Sequence, residues 1–433
     1  MLAVAAGGGL GSLARYGLSL VLPGAASSWP WATLTVNVVG ALLLGALSVR
    51  LRGPLLAPFV VTTFSARVRR RLGPPHGPRV GDWRALNPPL AGVPVHLGVD
   101  SFVAAVTDPE TGRVVGPEER MAQLLDEIAL ADRVGLHSFG IGEHHRSEYY
   151  DSAPAVILAA AAARTTRIRL GSAVTVLSAA DPVRVFQQFA TLDLLAKGRI
   201  DHVVGRGSFT EAVPLFGLDL ADYDSLFTEK LELLLAIRDQ PRVHWSGRHR
   251  PALTGQEVYP RPAQERMPIW VGVGGTPQSF VRAGALGLPL MIAIIGGEPR
   301  RFAPLVELYR DAGRRAGHPA EALRVGLHCF GFVADTTQAA ADAFYPGWAE
   351  MFTTVARERG FSAPTRAQFD ATRSPDGAFF VGDPATVATK AREVSAALGG
   401  VDRIALQMTN PRLGHTELLR SIELLGTEVV PRV

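Results

Sequence analysis

The sequence predicts an α/β protein: a closed (β/α)8 barrel of the TIM-barrel type, preceded by a membrane-type α-helical hairpin. Three observations predict it. From about residue 93 onward, short β-branched runs alternate with amphipathic helical segments. Eight such runs occur, which suits a closed barrel better than an open sheet. Ahead of residue 90 stand two apolar stretches, each close to the length that crosses a bilayer.

The eight predicted strands are carried in order by "VPVHLGVDSF", "HSFGIGEHH", "IRLGSAVTVL", "IDHVVGRG", "IWVGVGG", "LPLMIAIIGG", "LRVGLHCFGFVAD" and "DRIALQMTN". Helical segments such as "EERMAQLLDEIALADRVG" and "PVRVFQQFATLDLLAKG" lie between them, and longer excursions fall at about 241–268 and 336–400. The N-terminal pair, about Leu2 to Leu22 and Trp31 to Val49, is joined by the turn "LPGAASSWP" and reads as a helical hairpin. A weaker apolar piece, "PLLAPFVVTTFS", stops at "ARVRRR". A proline-rich stretch, "LGPPHGPRVGDWRALNPPLAG", then leads into the barrel. The domains expected are 1–66 for the transmembrane segment, 67–92 for an Arg/Pro-rich linker and 93–433 for the barrel.

Charge separates along the same boundary. Residues 1–90 hold nine arginines, no lysine and the single acid Asp82, a net +8 that leaves −4 for residues 91–433 of a chain that is +4 overall. Basic residues beside apolar runs suit a membrane surface, and no nucleic-acid motif accompanies them. The lone Cys329 forms no intrachain disulfide and fits a reducing compartment. Residues 1–14 lack the basic start of a secretory signal, so cleavage is not expected.

In a barrel, chemistry collects where strands end. "GEHHRSEYY" ends the second strand. Adjacent strand residues point to opposite sides, so His144 and His145 do not readily meet one ion beside Glu143, and no metal site is assigned. His144 is either a hydrogen-bonded structural residue or a base or donor at the barrel mouth. After the fourth strand, Gly205 and Gly207 flank Arg206, a pattern open to phosphate contact or to an ordinary turn. In "IWVGVGGTPQSF", Gly274 and Gly275 lead to Thr276 as a candidate N-cap and Ser279 in the first helical turn. That junction is an anion site or a turn that binds nothing, and its spacing is not the dinucleotide pattern. "IIGGEPRRF" reads as a flexible lip. The alanines at 159–163 and "FQQFATLDLL" read as helix core.

Taken together, "EHH", "VTVLSAADPVRVFQQFATLDLLAKGRIDHVVGRGSF" and "PIWVGVGGTPQSFVRAGALGLPLM" resemble the bacterial luciferase-like family of flavin-dependent monooxygenases over about residues 93–433. The resemblance implies FMN as cofactor, with His144 as the catalytic histidine beside the flavin ring. It implies Arg206, Gly207, Gly274, Gly275, Thr276 and Ser279 around the FMN phosphate. Val174 and Thr175 would lie along the flavin, in the "SAVTVLSAADPV" stretch where the family often keeps a strained peptide bond. Gly205 and Gly274 stand where luciferase has a reactive cysteine and an acid, so light emission is not implied. The implied chemistry is oxygenation of a small organic substrate by reduced FMN and O2 through a C4a-peroxyflavin, with His144 governing its proton and water kept out. Reduced FMN is expected from a separate flavin reductase. Alternatives are a deazaflavin-dependent oxidoreductase of the same fold, or a membrane channel component with a soluble passenger.

The pieces "GGGLGSLARYGLSLVLP", "WPWATLTVNVVGALLLGAL" and "TTFSA" resemble a truncated member of the small fluoride-channel family. Asn37 and Phe64 then stand as remnants of an ion pathway, with the rest of the third helix and the fourth missing. The arginines after the second apolar run place that end inside, so the expected location is membrane-anchored with the barrel in the cytoplasm. It is cytoplasmic if the N-terminal segment is not native. Expected partners are a small-molecule substrate, O2, the reductase, a second copy in a homodimer and the membrane; no nucleic acid is expected.

Overall fold

The computed structural model describes residues 95–108 and 111–433. The hairpin expected at 1–66, with Asn37 and Phe64, and the linker at 67–92 lie outside the described residues.

In chain order the strands are β1 (His96–Ser101), β2 (Ser138–Ile141), β3 (Arg169–Ser172), β4 (Thr175–Val176), β5 (Ile200–Gly205), β6 (Arg242–Trp245), β7 (Leu253–Glu257), β8 (Ile269–Val273), β9 (Leu290–Ala293), β10 (Val325–Val333), β11 (Phe380–Gly382) and β12 (Arg403–Gln407). The helices are α1 (Pro117–Arg133), α2 (Pro154–Ala162), α3 (Pro182–Leu195), α4 (Ala212–Leu215), α5 (Tyr223–Asp239), α6 (Pro277–Ala285), α7 (Ala303–Arg315), α8 (Thr337–Arg359), α9 (Arg366–Arg373), α10 (Pro384–Ala397) and α11 (His415–Leu424). Strands β1, β2, β3, β5, β8, β9, β10 and β12 pair in parallel, and β12 returns to β1. That closure makes a (β/α)8 barrel, as the eight apolar runs predict.

Local chemistry sets the helix starts. Pro117, Pro154, Pro182, Pro277 and Pro384 each open a helix, where a missing N–H costs nothing and φ is already helical. Asp181 caps α3 by accepting from the amides of Val183 and Arg184 at 2.9 and 3.1 Å. Both expected excursions are present. The first is the antiparallel hairpin β6–β7; the second carries α8, α9, β11 and α10, with β11 pairing the end of β10. Phe330, Phe344, Trp348, Phe369 and Phe379 pack edge-on or tilted against one another and fix this second excursion to the barrel.

Strand alternation decides what the barrel holds. Outward residues such as Val99, Val271, Ile292, Leu327 and Ile404 join the main core beneath the helices. Inward, Gly140, Gly171, Gly272, Ala293 and Ala405 take positions where branched residues usually fill a barrel. Lower down, Asp201 lies between Arg169, at 2.8 and 3.0 Å, and Arg403, at 2.7 Å. Burial would raise its carboxyl, but Arg403 and Arg169 outweigh that and hold it below the usual range. Trp270 is packed by the guanidinium groups of Arg403 and Arg324, 4.3 and 4.7 Å from its ring centroid. The bottom is closed and the top is open.

Candidate functional site

The small inward residues leave a cavity of about 730 Å³ at the C-terminal ends of the strands, reaching down to Asp201 and Arg403. Phe102, Tyr149, Phe209, Phe330 and Phe352 supply much of its upper wall. The end of α8 roofs it with Met351, Phe352, Val355 and Arg359. Arg146 ties that end down: it pairs with Glu358 of α8, with Glu211 at 2.5 Å and with Glu148 at 2.9 Å. These carboxylates hold its guanidinium well above the usual range, opposed by burial. Arg359 also donates to the Ser208 carbonyl at 3.1 Å.

His144 is buried in the cavity wall. Its Nδ1 meets Asp151 Oδ2 at 2.8 Å, and its backbone N–H donates to Asp151 Oδ1 at 3.1 Å. Burial pushes the Asp151 carboxyl up, and the hydrogen bonds from His144 oppose the shift. A carboxylate on Nδ1 fixes the tautomer of a neutral imidazole, so Nε2 carries the lone pair. That nitrogen has no protein partner among the described residues. Phe102 and Tyr149 hold the ring, with centroids at 4.5 and 4.6 Å. Burial and Glu148 push the Tyr149 hydroxyl up to about 12, so it stays protonated near neutrality. Strand β2 ends at Ile141, so Glu143, His144 and His145 lie in the loop and not in the strand as expected. His145 turns away toward Glu143, at 3.3 Å, and Phe216.

A second couple faces the same cavity. His328 Nδ1 lies 2.6 Å from Asp100 Oδ2, and Phe102 stacks on the His328 ring at 5.5 Å and 14°. Both couples therefore share one phenylalanine.

Around the rim, Val174 wedges against Gly205 and Gly272. A Cβ on either glycine would lie 2.7 or 2.8 Å from a Val174 methyl. The Ala173–Val174 peptide is cis, within the stretch where the resemblance implies an unusual bond. Arg206 spends one terminal nitrogen on Asp224, at 2.5 Å, and lies 5.4 Å from the Tyr223 ring centroid. Burial lowers the Arg282 guanidinium, and repulsion from Arg206 lowers it further. A Cβ at Gly274 or Gly275 would meet nothing within 4 Å. Packing does not require those glycines, and they leave backbone N–H groups bare at the start of α6.

The cavity thus brings together His144, Val174, Arg206, Gly207, Gly274 and Gly275. Thr175 is buried with its hydroxyl 3.2 Å from His202 Nε2, away from the cavity lining. Thr276 takes the N-cap position of α6 without a side-chain cap bond, and Ser279 sits in the first turn; neither lines the cavity. Gly296 and Phe302 of the expected lip do line it. Sequence pattern does not single out Asp100, Asp151, Arg282 or His328. The available signal was a polar residue inside an apolar strand run, "VDSF" and "LHCF", and an acid seven residues beyond His144.

The family model "Luciferase-like monooxygenase" matches residues 100–402, and "CrcB-like protein, Camphor Resistance (CrcB)" matches residues 2–70. The N-acetyl-S-alkylcysteine monooxygenase of Bacillus subtilis is 34% identical over 194 residues, which are 43% of this chain and 56% of that protein. The match thus spans little more than half of that relative. The 4-hydroxyprotoasukamycin monooxygenase of Streptomyces nodosus is 27% identical over 323 residues, 70% of this chain and 84% of the relative. Among solved structures, monooxygenase RslO1 of Streptomyces bottropensis superposes with a TM-score of 0.67 at 24% identity, covering 78% of this chain and 99% of its own. The oxygenating constituent of 3,6-diketocamphane monooxygenase from Pseudomonas putida, in complex with FMN, gives 0.63 at 20%, with the same coverage. An F420-dependent secondary alcohol dehydrogenase gives 0.59 at 17%, again covering 78% and 99%. At these identities the structural likeness is one of fold.

Proposed function

This chain belongs to the luciferase-like monooxygenase family, and on that premise we propose that it is an FMN-dependent monooxygenase acting on a small organic substrate. The observation that carries the reading is the His144–Asp151 couple in the wall of a cavity kept open by glycine and alanine. FMN, when bound in its reduced form, would supply the two electrons for reaction of O2, one oxygen atom then entering the substrate and the other leaving as water.

The residues present fit such a group. Arg206 has donors to spare beyond its Asp224 bond, and Gly207, Gly274 and Gly275 offer backbone approach beside the start of α6. Thr276 and Ser279 stand on the same first turn and reach a phosphate only if the turn adjusts around it. Val174 presents an apolar edge to the ring system, while Thr175 behind it braces the strand through His202. His144 Nε2 takes up and returns a proton inside the cavity, and Asp151 stabilises the imidazolium that forms. Phe102, Tyr149 and Phe209 keep water from that proton.

The electrons come from a separate flavin reductase, and the barrel works as a homodimer. Residues 1–66 anchor it to the membrane, with the linker at 67–92 and the barrel from 93 in the cytoplasm. Titration of the full chain with FMN, riboflavin and a deazaflavin tests the cofactor assignment. FMN is expected to bind most tightly, and Arg206→Ala to weaken it by about 1.5 to 3 kcal/mol while riboflavin is nearly indifferent. Equal losses for FMN and riboflavin would remove the phosphate site. Preferred binding of the deazaflavin without oxygen consumption would replace oxygenation by hydride transfer.

A further inference from the structure

His328 has the geometry of a ligand-directed residue. A structural histidine in this fold looks different: His202 is stacked on Phe189 at 3.8 Å, bonds Thr175 and does not line the cavity. His328 is held through Nδ1 by Asp100, lines the cavity, and its Nε2 has no protein partner among the described residues. The couple is built by the barrel itself. Asp100 of β1 and His328 of β10 are separated by β12, whose Ala405 lies beside His328 in register and beside Gly98 on the other side. Asp100, two residues beyond Gly98, lies beside Gln407. On the opposite flank, a Cβ at Gly140 would lie 2.1 Å from Asp100 Oδ1, so the aspartate takes this position only beside glycine.

A carboxylate 2.6 Å from Nδ1 accepts the Nδ1 proton, which leaves Nε2 of the neutral ring as an acceptor. A buried acceptor selects a ligand that brings a hydrogen-bond donor, because a ligand without one leaves it unpaired. The surroundings are aromatic and thioether: Phe102 stacks on His328, and Phe330, Phe352, Met291 and Met351 line the same cavity. We propose that the substrate is an aromatic molecule bearing a hydroxyl, and that His328, positioned by Asp100, accepts the hydrogen bond of that hydroxyl.

This inference rests on the cavity being the reaction chamber of the proposed function, but it is read without flavin. The probes are 2-naphthol and its methyl ether, 2-methoxynaphthalene, titrated calorimetrically into the full chain. The wild type is expected to bind the naphthol about tenfold or more tightly than the ether. His328→Phe should bring the naphthol down to the affinity of the ether. His328→Gln, whose amide oxygen still accepts, should recover part of the preference, and His202→Phe, outside the cavity lining, should leave it in place. Equal affinities in the wild type, or a preference that survives His328→Phe, would overturn the proposal. If His328→Phe does not fold, the wild-type pair and His328→Gln decide: a preference absent from the first or unaltered in both overturns it. Failure of FMN to bind would sink the proposed function while leaving the naphthol preference intact, so the two outcomes separate.

Discussion

Asp151 grips His144 at two points, accepting from its backbone N–H through Oδ1 and meeting its Nδ1 through Oδ2. The ring is therefore fixed in both position and tautomer, with Nε2 left to the cavity. Asp151→Asn removes the charge and lets the tautomer invert. Reduced-FMN binding is expected to persist, while product per O2 falls and hydrogen peroxide rises. His144→Ala should lose more, about 100-fold or more in product formation. Oxygen electrode traces with parallel product and peroxide assays measure both. Unchanged coupling in either variant would rule out the proton role.

Gly140→Ala probes the second couple from outside it. The added methyl would lie 2.1 Å from Asp100 Oδ1 and 3.0 Å from the Ala173 Cβ. Asp100 has to move, and overpacking of this kind costs about 1 to 3 kcal/mol. Thermal melts should show that loss, and the naphthol preference should shrink with it. A variant as stable as the wild type, with the preference intact, would mean that the Asp100–His328 contact is not needed.

Two histidines set an acid limit on stability. Burial lowers His202 to about 3, and burial, with His96 and Arg403 adding to it, lowers His137 to about 4, both from an ordinary 6.5. The unfolded chain thus binds more protons than the folded one below pH 6.5. Stability is fully present above that value and is lost as pH falls toward 4, by up to about 1.4 kcal/mol per pH unit for each histidine. His202→Phe keeps the stack on Phe189 and cannot titrate. Its melting temperature should fall less steeply than the wild type's between pH 6.5 and 4.5; parallel curves would show that His202 contributes nothing to the slope.

The N-terminal segment is predicted to insert without conducting. A bilayer tolerates a polar residue such as Asn37 where neighbouring helices or a lined cavity satisfy it, and the family resemblance lacks the rest of the third helix and the fourth. Liposomes holding the full chain should show no fluoride efflux above background, and the chain should fractionate with membranes. Fluoride efflux would restore the channel reading. Recovery of the intact, folded chain from the soluble fraction would remove the anchor.

Much of this protein is written in local pattern. The eight strands, the two excursions, His144 at the end of the second strand and the glycines around Arg206 all follow from periodicity and turn chemistry within windows of ten to twenty residues. At Glu143 to His145 local pattern does not separate loop from strand, because strand ends fray within a residue or two of where apolar alternation stops. What closure alone decided is which side chains face inward together. Asp100 and His328 are 228 positions apart and meet only because β12 returns to β1. Thr175 turns toward His202, and Thr276 and Ser279 stay outside the cavity. A strand's alternation is local, but its inner face is defined by the partner strands that curl around it, and so the open throat and its second histidine belong to the tertiary structure.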